Sequence, residues 1–339
     1  MGVNLGGLVT HEVRLLEDFR GRAIAIDAYN ALYQFLSIIR QPDGTPLMDR
    51  TGRVTSHLSG LFYRTSNILR EGVLPVYVFD GAPHPLKRGV LEGRMRVRRR
   101  AEKEWKEAVR EGDLETARTK AQQTALLTEE MIKSSTELLG LMGVPVAQAL
   151  QDGEAQASYM ASKGDVWATG SQDYDSLLYG CPRLVKNLAI SGRRKLPRRR
   201  EYVEVNIELI DLKANLENIG INREQLVDMA ILMGTDFNDG IRGIGPKRAL
   251  SLIQEHGDLE SVMGAKDIAI EDLEEVRQIF LRPRLTDDYQ LEWGEPDDEG
   301  IIELLCDEFD FSQDRVASAL RKIKVGLLNR EQSKLDKWF

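Results

Sequence analysis

Ala23-Ile24-Ala25-Ile26 is an uninterrupted apolar run that ends on Asp27, and Val76-Tyr77-Val78-Phe79 repeats the arrangement with Asp80. Val166-Trp167-Ala168-Thr169 is followed by Gly170-Ser171-Gln172-Asp173-Tyr174-Asp175. Asp152 and Glu154 open a helix-like stretch, and Asp236 closes the apolar run 229–235. Short apolar runs separated by helical patterns read as parallel strands joined by crossovers, and functional groups gather outside the carboxyl ends of such strands. Acids far apart in sequence would therefore meet at one edge of one sheet. Two carboxylates about 4 Å apart repel by about 4 kcal/mol at an effective dielectric near 20, so a cup of seven needs cations. Its all-oxygen chemistry suits two divalent ions, and Mg²⁺ favours carboxylate, water and phosphate oxygens.

The pattern predicts strands at 23–26, 75–79, 144–146, 166–169 and 183–188, with a weaker one at 203–205. Helical periodicity fills 28–40, 54–71, 115–142, 153–163 and 223–233. The expected fold is α/β, a mostly parallel central sheet flanked by helices. Residues 82–130 break the rhythm: they open with Pro83 and Pro85, carry a dense basic block and pause at Gly112-Asp113. An insertion this long and basic, placed directly after Asp80, would rise over the acids.

The chain has 339 residues and a formal net charge of -8. That balance alone argues against a nucleic-acid ligand, but the distribution of the charge points the other way. Residues 285–314 hold twelve acids and no Lys or Arg, and the remainder carries +4 once they are set aside. Nine bases against three acids fill 87–106, and Arg193-Arg194-Lys195-Leu196-Pro197-Arg198-Arg199-Arg200 adds six bases and no acid. Separated patches of one sign are the footprint of a polyanion binder. Two cysteines cannot form a disulfide framework, four scattered histidines offer no zinc spacing, and no apolar stretch is long enough for a bilayer. The expectation is a cytoplasmic protein without a membrane segment.

Gly240-Ile241-Arg242-Gly243-Ile244-Gly245-Pro246-Lys247-Arg248 joins two helical segments. Glycines permit close approach of backbone to phosphate, Pro246 suits a first helical position, and the following amides face an anion beside Lys247 and Arg248. The chain ends Gln332-Ser333-Lys334-Leu335-Asp336-Lys337-Trp338-Phe339. That spacing fits a one-turn helix pressing Leu335 and two rings into a groove on a partner.

Taken together, these residues resemble the flap endonucleases, structure-specific 5′ nucleases of DNA replication and repair, and the archaeal members above all. Beyond the acid-bearing segments, Thr55-Ser56-His57-Leu58, Phe62-Tyr63-Arg64-Thr65, Gly153-Glu154-Ala155-Gln156-Ala157, Gly234-Thr235-Asp236 and Gly243-Ile244-Gly245 carry the likeness over nearly the whole chain. The resemblance implies that Asp27, Asp80, Asp152, Glu154, Asp173, Asp175 and Asp236 bind two Mg²⁺ ions. Lys87 and Arg94 would stabilise charge on the scissile phosphate from the foot of a helical arch that also carries Arg98. Tyr33 would stack the terminal base, Gly2 would lie near the active site, and 55–65, with Arg64, would hold a one-nucleotide 3′ flap. Residues 220–257 would form a helix–two-turn–helix gripping duplex phosphates through Gly243, Gly245, Lys247 and Arg248, with a bound K⁺. Gln332, Leu335, Trp338 and Phe339 would dock on the sliding clamp PCNA. The implied organisation is a monomeric nuclease core over 1–328, including an arch at 82–130, followed by a tail at 329–339.

One departure stands out. The family usually has Glu where this chain has Asp152, one methylene shorter, which leaves open whether metal contact there is direct or through water. Two other readings share the acid cup: an RNA-directed nuclease, which the hairpin and tail disfavour, and a non-catalytic junction-binding module, which the full set of acids disfavours.

Overall fold

The structure, a computed structural model, describes residues 2–189, 192–195 and 202–335. In chain order the strands are β1 (Glu12–Arg14), β2 (Ala23–Asp27), β3 (Leu74–Phe79), β4 (Val146–Gln148), β5 (Ala168–Gly170), β6 (Arg183–Lys186), β7 (Gly192–Lys195), β8 (Tyr202–Val205) and β9 (Ile207–Asp211). The helices are α1 (Ala28–Ile38), α2 (Ser56–Arg70), α3 (Arg88–Glu111), α4 (Leu114–Ala121), α5 (Glu129–Leu141), α6 (Gly153–Lys163), α7 (Asp175–Leu178), α8 (Leu212–Ile219), α9 (Arg223–Met233), α10 (Pro246–His256), α11 (Leu259–Lys266), α12 (Leu273–Leu281), α13 (Asp298–Ile302) and α14 (Gln313–Leu335).

Seven strands form one sheet in the order β1-β9-β6-β5-β2-β3-β4. It is parallel from β6 to β4, while β9 runs antiparallel to both β6 and β1. β7 and β8 make a separate antiparallel pair. The continuous apolar character of β2 follows from burial on both faces, as parallel strands require. Ile24 and Ile26 enter the core under α1, α2, α5 and α14, whereas Ala25 enters a smaller core against α6. A third core joins α7 to α9, α10, α11 and α12.

Three expectations are corrected. The predicted helix 115–142 is two helices, separated by a short 3-10 turn at Gln122–Thr124 and restarted where Thr128 caps α5 by accepting from Met131 N. β4 lies at 146–148 rather than 144–146. β1, β7 and β9 were not anticipated, and the last of them makes the sheet mixed.

The acidic block finds its place as a strap behind the sheet. Between α12 and α13 the chain forms neither helix nor strand. Tyr289, Leu291 and Trp293 cover the small core while Asp287, Asp288 and Glu292 face solvent. Trp293 Nε1 donates to Pro75 O at 2.8 Å, and Gly294 N donates to Gly143 O at 3.0 Å. Gly143, at φ +67, is required there, because an added Cβ would meet Gly294 O at 2.4 Å. Among the described residues, no helix is long and apolar enough to cross a membrane.

Candidate active site

The parallel register delivers the acids. Asp27 ends β2 beside Val78 of β3, two residues short of Asp80, and Ile26 pairs with Gly170, just before the loop that carries Asp173. Asp175 opens α7, Asp152 caps α6, and Glu154 lies in the first turn of α6. Asp27, Glu154 and Asp175 are buried, each under a tenth exposed. Burial, then the neighbouring Asp80, Asp152 and Asp173, pushes the Asp27 carboxyl well above its ordinary range. Burial and the Asp152 charge raise Asp80 to about 6. Burial, then Asp175, Asp173, Asp27 and Asp152, raises Glu154. Asp175 is raised to about 7, mainly by burial. Carboxylates from distant segments thus lie within electrostatic reach of one another, and folding alone does not relieve them.

Each carboxylate is nevertheless steered onto a protein donor. Asp27 Oδ1 accepts from Asn30 N at 3.0 Å, and Asp80 Oδ1 accepts from Gly153 N at 2.6 Å. Glu154 Oε1 accepts from both the amide and the hydroxyl of Ser176, and Asp175 Oδ1 accepts from Val3 N at 2.7 Å. Asp152 divides its oxygens: Oδ1 caps α6 through the amides of Glu154 and Ala155, and Oδ2 takes Lys87 Nζ at 2.5 Å. Arg94 Nη2 donates to Asp236 Oδ2 at 2.6 Å. Burial acts to lower the Lys87 ammonium, yet the charge and hydrogen bond of Asp152 outweigh it and leave it raised. Phe237 lies under Lys87, with Nζ 5.2 Å from the ring centroid.

The donor set is all carboxylate oxygen, which fits a hard divalent ion such as Mg²⁺. Among the described residues, no three His, Cys, Asp or Glu side chains converge closely enough to enclose an ion. Lys87, Arg94 and backbone amides occupy carboxylate oxygens of the cup.

The structure brings Gly2, Lys87 and Arg94 to the acids. A Cβ on Gly2 would lie 2.7 Å from Asp175 Oδ1, so only glycine passes there without displacing that carboxylate. Tyr33, 42 % exposed, stands on α1 near Tyr29. Arg64 is half-buried on α2, and burial lowers its guanidinium pKa. Arg98 is half-buried on α3. Gly243 takes a φ of +83, Gly245 caps α10 with Pro246 in its first turn, and Lys247 and Arg248 are exposed beside it. Gln332 and Leu335 fall in the last turns of α14, which runs helical through the first half of the expected one-turn segment. Trp338 and Phe339 lie outside the described residues, as do residues 196–200 of the second basic block.

Three contributors escaped the sequence reading: the Val3 amide, Ser176 and Asn30. Asn30 was within reach, because Asp27 before a helix is a capping signal and Asn30 lies one turn on, at the capped amide.

Two family descriptions match the chain: the XPG N-terminal domain over residues 7–103 and the XPG I-region over 143–236. All seven acids fall inside them. This sheet topology with those acids at its carboxyl edge is that of a structure-specific nuclease of the XPG type. The chain is 52% identical to flap endonuclease 1 of Pyrococcus abyssi, covering 100% of this chain and 98% of that one. It is 51% identical to flap endonuclease 1 of Archaeoglobus fulgidus, covering 100% of both. The solved flap endonuclease-1 from Methanococcus jannaschii superposes with a TM-score of 0.76 at 42% identity, over 97% of this chain and 100% of that one. The catalytic core of Rad2 in complex with DNA substrate shares the fold, with a TM-score of 0.70 at 22% identity over 94% of this chain and 97% of that one. The chain belongs to the flap endonuclease 1 family of structure-specific 5′ nucleases, archaeal type.

Proposed function

We propose that this chain removes 5′ flaps from branched DNA by Mg²⁺-dependent phosphodiester hydrolysis, with weaker 5′→3′ exonuclease action, in lagging-strand maturation and base excision repair. The observation that carries the reading is the cup itself: Asp27, Asp80, Glu154 and Asp175 gathered at the carboxyl edge of the sheet, beneath two cations at the root of one long helix. The seven acids would hold two Mg²⁺ ions. Bound there, Mg²⁺ supplies a nucleophile at neutral pH and a clamp for the charge that builds on phosphate. Lys87 and Arg94, leaving Asp152 and Asp236, would donate to the oxygens of the scissile phosphate as that charge grows. Tyr33 would stack the terminal base, and α3 with α4 would admit only a free single strand. Arg64 and Arg98 would hold phosphates, which position the substrate without reading its sequence. The turn at Gly243 and Gly245, with Lys247 and Arg248, would grip the duplex beside a K⁺ ion, and the tail would dock on PCNA. The deciding assay is cleavage of a labelled double-flap DNA with Mg²⁺ and with EDTA. Product in EDTA would overturn the metal reading, and preference for the RNA counterpart would overturn the substrate.

Arg94→Ala is expected to lower the single-turnover rate by about 10²-fold, the scale set by loss of one donor aimed at the transition state. An unchanged rate with weakened DNA affinity would reduce Arg94 to a positioning contact. A chain ending at Glu331 should cleave a free flap as fast as the full protein and lose stimulation by the clamp. Interface aromatics account for about 2 kcal/mol or more each on truncation, so Trp338→Ala with Phe339→Ala should reproduce the deletion in calorimetry of clamp binding. Undiminished clamp binding would remove the docking role.

A further inference from the structure

We propose that Asn30 is a positioning residue that sets the spacing between Asp27 and Asp173, and so tunes the affinity of the cup for its divalent ions. The proposal rests on reading those acids as the ion-holding set. Asn30 touches both from a single position in the first turn of α1. Its backbone N–H donates to Asp27 Oδ1 at 3.0 Å, and its side-chain Nδ2 donates to Asp173 Oδ2 at 3.0 Å. Its Oδ1 accepts from the amide of Gln172 at 3.3 Å. An amide N–H needs an acceptor, so the Gln172 contact fixes which end of the Asn30 amide faces Asp173. Asp27 ends β2 and Asp173 follows β5, its parallel neighbour, so this one residue spans the gap between two strand ends.

Asp27 and Asp173 carry like charge and are both held by this one residue, so the two carboxylates push apart. A lysine at position 30 would relieve the push by neutralising charge that a divalent ion needs. A neutral amide orders Asp173 and leaves both negative charges available. Partners of this kind around a metal site change affinity or activity by about 10–100-fold when lost.

The substitution separates the two arms of Asn30, because the backbone bond to Asp27 survives any non-proline replacement. Asn30→Leu and Asn30→Ala both delete the donor to Asp173. One overfills the site and the other underfills it, so a shared defect follows the hydrogen bond and not the shape. Calorimetry with Mn²⁺ alone, without DNA, is expected to show about 10-fold weaker binding in both variants. The Mg²⁺ concentration for half-maximal single-turnover cleavage should rise by a like factor, with the rate at saturating Mg²⁺ restored to within a few-fold and flap-DNA affinity unchanged. Unaltered Mn²⁺ isotherms in both variants, with melting temperatures in EDTA showing them folded, would overturn the assignment. Asp173→Asn is the reference. If it too leaves Mn²⁺ binding intact, the ion-holding reading of the cup falls; if it abolishes binding while both Asn30 variants bind normally, only the role of Asn30 falls.

Discussion

Asp80→Ala or Asp173→Ala is expected to lower flap cleavage by about 10³-fold or more, about 4 kcal/mol of barrier, while flap-DNA affinity stays within a few-fold of wild type. The two effects separate because different surfaces produce them. Affinity for a polyanion comes from lysines and arginines that displace counterions, and these lie along α3 and beside α10. Asp80 holds Gly153 N at the start of α6, and Asp173 takes Asn30, so each loss unsettles a neighbour as well as removing a charge. Filter binding in Ca²⁺ alongside single-turnover cleavage in Mg²⁺ is the required pair of measurements. Near-normal turnover in both variants would remove the acid cup from the chemistry.

The metal-free protein should lose stability as pH rises from about 4 to about 7, the reverse of ordinary acid denaturation. Asp80 and Asp175 start from an ordinary value of 3.8 and are raised on folding to about 6 and about 7. Between the unfolded and folded values the folded state binds more protons, so the unfolding free energy falls as pH increases. At about 1.4 kcal/mol per unit the two groups together cost on the order of several kcal/mol above pH 7. Asp175→Asn keeps the acceptor for Val3 N and discards the charge. In EDTA at pH 8 it should therefore melt several degrees higher than wild type, and saturating Mg²⁺ should erase or reverse that advantage. A variant melting no higher than wild type in EDTA would show that the buried charge is already compensated.

What the sequence disclosed depended on how many faces of a segment were buried. β2 and β3 were legible because burial on both sides makes them continuously apolar, and the acid after each marked the carboxyl edge. β1 was not: Val13 is 58 % exposed on a three-residue edge strand, and nothing in Glu12-Val13-Arg14 demands an extended chain. β9 alternates poorly, with Glu208 and Asp211 interrupting its apolar residues, and its pairing with β6 on one side and β1 on the other holds it straight. The break between α4 and α5 contains no Gly or Pro, so periodicity ran across it, although Thr128 followed by Glu129 and Glu130 was a usable helix start. The convergence of the acids was legible from strand ends. Their pairing with Lys87, Arg94 and backbone amides was not, because those partners come from distant segments whose side-chain directions no spacing rule supplies.

The ion pairs at the root of α3 make two equilibria one. Lys87 and Arg94 are bound to Asp152 and Asp236, so a divalent ion claiming those carboxylates must evict them. By reciprocity, whatever draws the two side chains upward, a phosphate above all, raises ion affinity in the cup by the same factor that ions raise affinity for the phosphate. If those acids hold the ions and those cations the phosphate, substrate and metal are cooperative ligands of the chain, and the cup would be best charged with ions when the chain already holds DNA.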